Sequence, residues 1–327
     1  MAKSDGDADP ILDSYRAMLA KCRYLVKSGS TRFVLSNVHY LELQRIRNTK
    51  QRGDVARLMK ELTAFSTIQG RRVVTTRELD ALVAKKCGQD PRRGAVPLIG
   101  KGFFHAVGRP MTLRVIDKIT GEDRTEETRA MSGESKFDAF IEFANAYTED
   151  KFLFGPQDDE IEELRAFGYA PEKMEEVYES RRQREMYLAD ILRKDAELRK
   201  GDRLLRVVSA NELVHELHDE LIAILEDYDT TLAALLGSTP DEALGFTSSM
   251  PTIDVVVALR AHYHSQIHKK WKTNDVHDID AMSVAVAYCD VVWTDNEVVD
   301  ALSRQNISLR MDTKIGSTPQ RFLDLTL

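Results

Sequence analysis

The sequence predicts a helix-rich α/β fold, in which a few short strands lie among many helices. Apolar residues recur at helical spacing along most of the 327 residues. Two short apolar segments, 33–35 and 291–293, interrupt this pattern and have the composition of buried strands. A polar residue and a new helical segment follow each of them. These two segments and the helices around them are the basis for the predicted fold class.

The first 100 residues are predicted to form helices around one short strand. Asp9 and Pro10 are typical of a helix start, with an aspartate as N-cap and proline at the first helical position, so a helix is expected over 10–26. After the strand at 33–35, Ser36 is predicted to cap the next helix. Further helices are predicted over 52–65 and 76–86.

The middle of the chain is predicted to be helical almost throughout. Shorter helices are expected over 137–144 and 158–167. Two long charged segments, 171–200 and 202–236, are predicted to form an antiparallel helical hairpin, because glycine-containing breaks separate them. The sequence therefore predicts a core formed by 1–100 and 250–327, with residues 101–249 as a helical insertion.

The last 80 residues are predicted to return the chain to the core. Pro251 begins a helix, a second helix ends near Tyr288, and a short strand follows within 290–295. The remaining predicted elements are a helix over 297–304, a strand over 307–309 and a capped terminal helix.

Composition limits the classes of function that the chain can have. Hydrophobic residues make up 43% of the chain, which is enough to bury a core, and charged residues make up 30%. No apolar run approaches the length of a membrane span, so no membrane partner is expected. The cysteines are too few and too scattered for a disulfide framework, which favours a reducing cytoplasm: Cys22, Cys87 and Cys289. The net charge of −7 argues against broad coating of nucleic acid but not against a local basic groove.

The stretch 274–297 carries the strongest functional signal, because it gathers five aspartates around a short apolar segment: Asp275, Asp278, Asp280, Asp290 and Asp295. Asp278 is predicted to lie in the first turn of a helix, and Asp295 follows the next strand. Two carboxylates placed in this way can point into one site. Carboxylates that share a site repel each other, and a bound divalent cation relieves the repulsion.

This stretch resembles the C-terminal half of PIN-domain nucleases, in which an acid opens a helix and the next strand ends in a threonine followed by an acid. The family's helix acid lies sixteen positions before the threonine, and Asp278 has that spacing to Thr294, whereas Asp280 does not. The segment FVLSNVHYLEL resembles a second part of the family pattern, a strand that ends in serine with a glutamate six residues later, here Ser36 and Glu42.

The resemblance implies a PIN-like parallel sheet flanked by helices and metal-dependent hydrolysis of RNA phosphodiester bonds. It implies one or two Mg²⁺ or Mn²⁺ ions and a partner of single-stranded RNA. The implied catalytic residues are Glu42, Asp278 and Asp295. The implied metal ligands are Glu42, Asp278, Asp290 and Asp295, and the implied substrate-binding residues are Ser36, Asn37, Thr294 and Asn296.

One departure from the family pattern is the start of the chain. PIN domains begin with a central strand that ends in an aspartate, whereas MAKSDGDADP contains no apolar strand. The sequence therefore leads us to expect a chain that starts after this strand and is a weak or inactive nuclease. An open sheet edge would also favour association as a homodimer or with a protein partner.

Two alternatives remain open from the sequence. The first is a non-catalytic PIN-like module that binds RNA or a protein. The second is an HD-type phosphohydrolase, prompted by His277 and Asp278 but disfavoured by the strand ending in an aspartate. His264 and His268 have a spacing that occurs in metal sites, but the rest of such a motif is absent, so ordinary core or surface histidines are favoured. The basic run at 181–184 is a further candidate RNA contact, although charged runs on long helices more often face water.

Overall fold

A computed structural model describes residues 9–94, 96–109, 114–156, 159–166 and 170–326. The chain divides into two compact units. The first unit contains Met1–Arg32, Gly70–Leu98 and Ala170–Leu327, and the second contains Phe33–Gln69 and Ile99–Tyr169. These limits come from packing and differ from the core and insertion limits that the motif positions predict. The motif-based division stays a prediction.

The elements follow one another in this order: α1 Pro10–Ser28, α2 Asn37–Arg45, α3 Thr49–Thr63, β1 Ser66–Ile68, α4 Arg71–Cys87, β2 Ile99–Lys101, α5 Gly102–Ala106, α6 Thr125–Ser132, α7 Glu134–Phe154, α8 Ile161–Ala166, α9 Pro171–Lys194, α10 Gly201–Asn211, a π-helical turn Glu212–Glu216, α11 His218–Asp227, α12 Leu232–Leu236, α13 Pro240–Ser248, α14 Pro251–Ser265, α15 Thr273–Tyr288, β3 Val291–Trp293, α16 Asn296–Arg304, α17 Ile307–Met311, β4 Lys314–Gly316 and α18 Pro319–Asp324. The predicted helix-rich fold is confirmed.

Strands form two small sheets among the described residues. In the second unit, β1 pairs antiparallel with β2, with Thr67 opposite Gly100. In the first unit, β3 pairs parallel with β4, with Val292 opposite Ile315. The larger parallel sheet that the PIN resemblance implies stays a prediction.

The strand predicted at 307–309 is wrong, because these residues belong to α17. In a strand, Ile307 and Leu309 would face the same side, since side chains alternate with a period of two. The structure instead buries Ile307 completely and leaves Leu309 82% exposed. The edge strand lies at β4, a few residues later. The predicted strand at 33–35 is also reduced, to a single parallel bridge between Leu35 and Thr67.

The long segments predicted as a helical hairpin are divided differently. Helix α9 ends at Lys194, and the second segment is broken into α10, a π-helical turn, α11 and α12. Helix α9 packs on α15, whereas α10 packs on α13 and α14. Residues 158 and 167, the ends of another predicted helix, lie outside the described residues.

Helix α14 is the centre of the first unit. Pro251 occupies its first turn, as predicted, and twelve of its fifteen residues are buried. A helix that is buried all round is expected only inside a large core. It packs on α4, α10, α15 and α16, so polar side chains on α14 must find partners on these helices. Among the described residues, no helix is long and apolar enough to cross a membrane.

Candidate functional site

Helix α15 carries the predicted helix acid, one turn later than expected. The helix begins at Thr273, so the acid of its first turn is Asp275 and Asp278 lies in the second turn. Asp275 caps the start of the helix, because its carboxylate accepts the backbone N–H of Lys272 at 2.6 Å. The predicted placement of Asp278 in the first turn is therefore wrong. Its side chain is partly buried.

Asp295 lies directly after β3 and is the N-cap of α16. Its carboxylate accepts the backbone N–H of Val298 at 2.9 Å. Thr294 continues the pairing with β4, since its N–H donates to the carbonyl of Gly316 at 3.0 Å. Asn296 is exposed, and its carbonyl oxygen accepts the Ser317 hydroxyl at 2.5 Å. The threonine and acid that follow the predicted strand therefore lie at the start of α16, where Asp295 is the N-cap.

Asp290 lies at the other end of the same strand. Three strand residues separate it from Thr294, and a strand rises about 3.3 Å per residue. Asp290 and Asp295 therefore flank β3 at opposite ends. The Asp290 side chain is exposed.

Four carboxylates act electrostatically on the buried phenol of Tyr263 on α14: Asp275, Asp278, Asp295 and Glu297. We call this group the acid cluster. Tyr263 is 1% exposed. Burial raises the pKa of its hydroxyl, and the negative charges of the four carboxylates raise it further. Asp278 and Asp295, predicted to lie close together, thus both act on one buried group.

One cation is placed within the acid cluster. The Nζ of Lys269 lies 3.0 Å from a carboxylate oxygen of Asp275 and also donates to Glu297. The same Nζ lies 4.3 Å from the centre of the Tyr263 ring, within cation–π range. Burial lowers the pKa of Lys269, but Glu297 and Asp275 outweigh it and raise the pKa above its ordinary value. Lys269 is therefore a fixed positive charge.

The acid cluster contains oxygen donors of the kind that Mg²⁺ and Mn²⁺ accept, but the structure does not group them into a metal site. Within the described part of the chain, no three His, Cys, Asp or Glu side chains are grouped so that they could hold a metal ion by themselves. Mg²⁺ commonly binds through one or two carboxylates and completes its shell with water and substrate phosphate. Asp278 and Asp295 supply such carboxylates.

The other predicted site residues belong to the second unit. Ser36 is buried at the N-cap of α2, where its N–H donates to His39 Nδ1 at 2.9 Å. Asn37 is partly buried. Glu42 is exposed on the same helix; partial desolvation raises its pKa, and nearby Arg45 opposes this. The predicted set of ligands is thus divided between the two units, with Glu42 in the second and Asp278, Asp290 and Asp295 in the first.

Sequence reasoning missed a buried ionic network in the first unit. Arg260 on α14 donates to Glu212 at 2.8 Å and lies 2.8 Å from Glu185. Glu212 also accepts from Arg71 and is completely buried. His264 completes this part of the network, with its Nε2 2.8 Å from Glu185.

Asp280 on α15 connects the same network to α9. It accepts from Arg71 at 2.9 Å and from Arg181 at 2.6 Å. Burial raises the pKa of Asp280, but the two arginines outweigh it and hold the pKa well below its ordinary range. The sequence contained one signal for a buried ionic network. The segment VVVALRAHYH places Arg260 in a largely apolar helix, where a charge requires a buried partner.

The network also decides two sequence hypotheses. Arg181 is paired with Asp280 and Glu216, and its side chain is 15% exposed, so it has a structural role instead of contacting RNA. Helix α14 ends at Ser265, so His264 and His268 do not share a helix face, which agrees with the expectation that they are ordinary histidines. The ring of His277 packs edge-on against Tyr178 at 4.2 Å, which is an ordinary core contact.

Comparison with known proteins gives no relative to transfer a function from: no family model, no curated protein and no solved structure matches this chain.

Proposed function

We propose that this chain is a PIN-like, Mg²⁺- or Mn²⁺-dependent endoribonuclease that acts on single-stranded RNA in the cytoplasm. The observation that supports the proposal is that the charges of Asp278 on α15 and Asp295 after β3 both raise the pKa of the buried Tyr263 hydroxyl. The parallel pairing of β3 with β4 supports the PIN-like sheet, since the acid after the strand then lies at the carboxyl end of the sheet.

In this proposal each residue has a definite role. Asp278 and Asp295 are the proposed oxygen ligands, one from a helix and one from the end of a strand. Thr294 and Asn296 lie beside Asp295 and are the proposed contacts to the RNA backbone. Asp278 and Asp295 would hold a divalent cation, which would supply activation of water and compensation of the charge that develops on the phosphate. Glu42, Ser36 and Asn37 lie in the second unit, and their roles stay what the resemblance implies.

A non-catalytic module that binds RNA or a protein is the second candidate. The observation that favours it is Lys269, whose single ammonium forms ion pairs with two of the four carboxylates without any metal ion. Such a module would retain the scaffold of the acid cluster but would not hydrolyse RNA.

Metal linkage tests the proposed function first. We expect saturating Mn²⁺ to raise the melting temperature of the wild-type chain by about 5 °C, because binding at about 100 times Kd adds about 2.7 kcal/mol to the folded state. Asp278→Asn should abolish most of this shift, because it removes a carboxylate of the acid cluster. Thermal melts and titration calorimetry with Mn²⁺ and Mg²⁺ measure both quantities.

Asp290→Asn is the matched control, since it removes the same charge from the other end of β3. It should keep the Mn²⁺ shift; loss of the shift in this variant would return Asp290 to the set of ligands. A wild-type chain that neither binds Mn²⁺ nor cleaves single-stranded RNA would contradict the nuclease function. Mn²⁺ binding without cleavage would support the binding module.

A further inference from the structure

A cavity of about 480 Å³ lies in the first unit, between the start of α10, the end of α14 and the C-terminal part of α16. Sites for small molecules in proteins commonly have volumes of about 300–1,000 Å³. None of the described residues that line this cavity belongs to the acid cluster. The cavity is therefore a second candidate site, and what it binds does not depend on the proposed nuclease function.

Arg199 lines the cavity, directly before α10, and its charge is not compensated. It is partly buried, and its Nε is shielded from water without a hydrogen-bond acceptor. Among the described residues, no carboxylate forms an ion pair with it. Arg206 on α10, in contrast, is paired with Asp241 at 2.6 Å, and Arg304, which also lines the cavity, is paired with Asp300 at 2.8 Å. An oxyanion in the cavity would supply the acceptor that Arg199 lacks.

Neutral donors next to Arg199 favour the same kind of ligand. His262 on α14 lines the cavity and is 8% exposed. The amide nitrogen of Gln266 donates to His262 Nε2 at 2.9 Å, so the proton of the neutral ring lies on Nδ1, which is then a donor. Gly201 begins α10 and lines the cavity, and the N-cap residue, Lys200, makes no side-chain capping hydrogen bond. The positive end of this helix dipole adds to the attraction of an anion.

We propose that this cavity binds a small organic monocarboxylate, with its carboxylate on Arg199 and its apolar part against Leu204, Leu205 and Ala261. Leu204 and Ala261 are buried, so this part of the wall is apolar and favours an apolar ligand body. Asp202 also lines the cavity and is exposed. Its negative charge opposes a doubly charged phosphate more strongly than a singly charged carboxylate.

Hexanoate is the probe for this site, and its binding to the full chain is measured by titration calorimetry and thermal melts. Hexyl phosphate, inorganic phosphate and 1-hexanol are the comparison ligands, because they change the head group or remove the apolar body. We expect hexanoate to raise the melting temperature and to bind more tightly than any of the other three. Arg199→Gln should weaken hexanoate binding at least about tenfold, because a hydrogen bond between two charged groups is lost.

Arg203→Gln is the matched control, since Arg203 is an exposed arginine in the first turn of α10 and is paired with Glu197. It should bind hexanoate as the wild type does. Because Arg199 has no carboxylate partner among the described residues, Arg199→Gln should melt within about 2 °C of the wild type.

Four outcomes would overturn the proposal. A chain that binds none of the four ligands has no such site. Equal binding of 1-hexanol and hexanoate would mean that the cavity is apolar and does not recognise an anion. Tighter binding of hexyl phosphate or inorganic phosphate would exclude the monocarboxylate as the preferred ligand. An Arg199→Gln variant that binds hexanoate as the wild type does, or that melts far below it, would show that Arg199 does not hold the ligand or that its role is structural.

Discussion

Replacing Asp280 with alanine should lower the free energy of unfolding by about 3–5 kcal/mol, the usual result of removing one partner from a buried ion pair. Asp280 accepts hydrogen bonds from Arg71 on α4 and Arg181 on α9. Without this carboxylate, two buried guanidinium groups lose a partner while they remain out of water. Their remaining partners, Glu212 and Glu216, limit the loss but do not replace it.

The measurement is urea unfolding of the wild type, Asp280→Ala and Asp278→Ala. Asp278 is the matched control, because it lies on the same helix two residues away and is only partly buried. Two residues rotate a side chain by about 200°, so the two aspartates face opposite sides of α15. Asp278→Ala should change stability by less than about 1 kcal/mol. Equal losses in the two variants would show that the buried network does not depend on Asp280.

This contrast bears directly on the metal hypothesis. Spacing alone predicts that Asp280→Ala retains metal binding, because Asp280 does not have the sixteen-residue spacing to Thr294. The structure makes this test harder to interpret. Asp280 helps to hold α15, the helix that carries Asp278, in place, and the variant removes that support. A loss of Mn²⁺ binding in Asp280→Ala would therefore not identify Asp280 as a ligand. Asp290→Asn is the cleaner control because its side chain is exposed.

Local signals predicted the parts of the fold that short segments determine. Asp9 with Pro10, Pro251 and Thr318 mark helix starts that the structure contains, because capping depends on residues within one turn. The α15–β3–α16 order was likewise readable, since a change from helical to strand spacing marks each boundary. The start of α15 was misplaced because Asp275, not Asp278, closes it.

Pairs of side chains that are far apart in the sequence could not be predicted from it. Arg71 and Asp280 are separated by 209 positions, and no local pattern states that two such residues share a partner. Packing at a distance also determines α17. The apolar residues at 307–309 have a composition typical of a strand, but their packing in the fold buries Ile307 and leaves Leu309 exposed. Lys269 was missed as well, because its partners lie on α15 and α16.

Replacing Glu185 with glutamine should destabilise the chain by about 3 kcal/mol at neutral pH. Glu185 lies between Arg260 and His264, with oxygens 2.8 Å from each. Burial raises the pKa of its carboxyl, but Arg260 and His264 outweigh it and lower the pKa to about 2. The variant keeps the shape and removes the charge, so Arg260 retains a single buried carboxylate, that of Glu212.

The sign of the pH dependence follows from this lowered pKa. The ordinary pKa of a glutamate is 4.5, so below that pH the unfolded chain binds a proton that the folded chain does not. The contribution of ionised Glu185 to the free energy of unfolding is therefore complete above about pH 4.5 and is lost as the pH falls towards 2. His264 acts in the same direction, because burial lowers its pKa and acid favours the unfolded chain. Other titrating groups are common to both chains and largely cancel in their difference.

Urea unfolding of the wild type and Glu185→Gln at pH 5 and pH 3.5 measures this effect. The stability advantage of the wild type should shrink by about 1 kcal/mol between these two values, since each unit of pKa difference is worth about 1.4 kcal/mol and only part of the window is covered. An advantage that stays constant across the window would mean that Glu185 titrates like a solvated carboxyl. Arg260 would then not hold it ionised, and the ionic network would not account for the burial of α14.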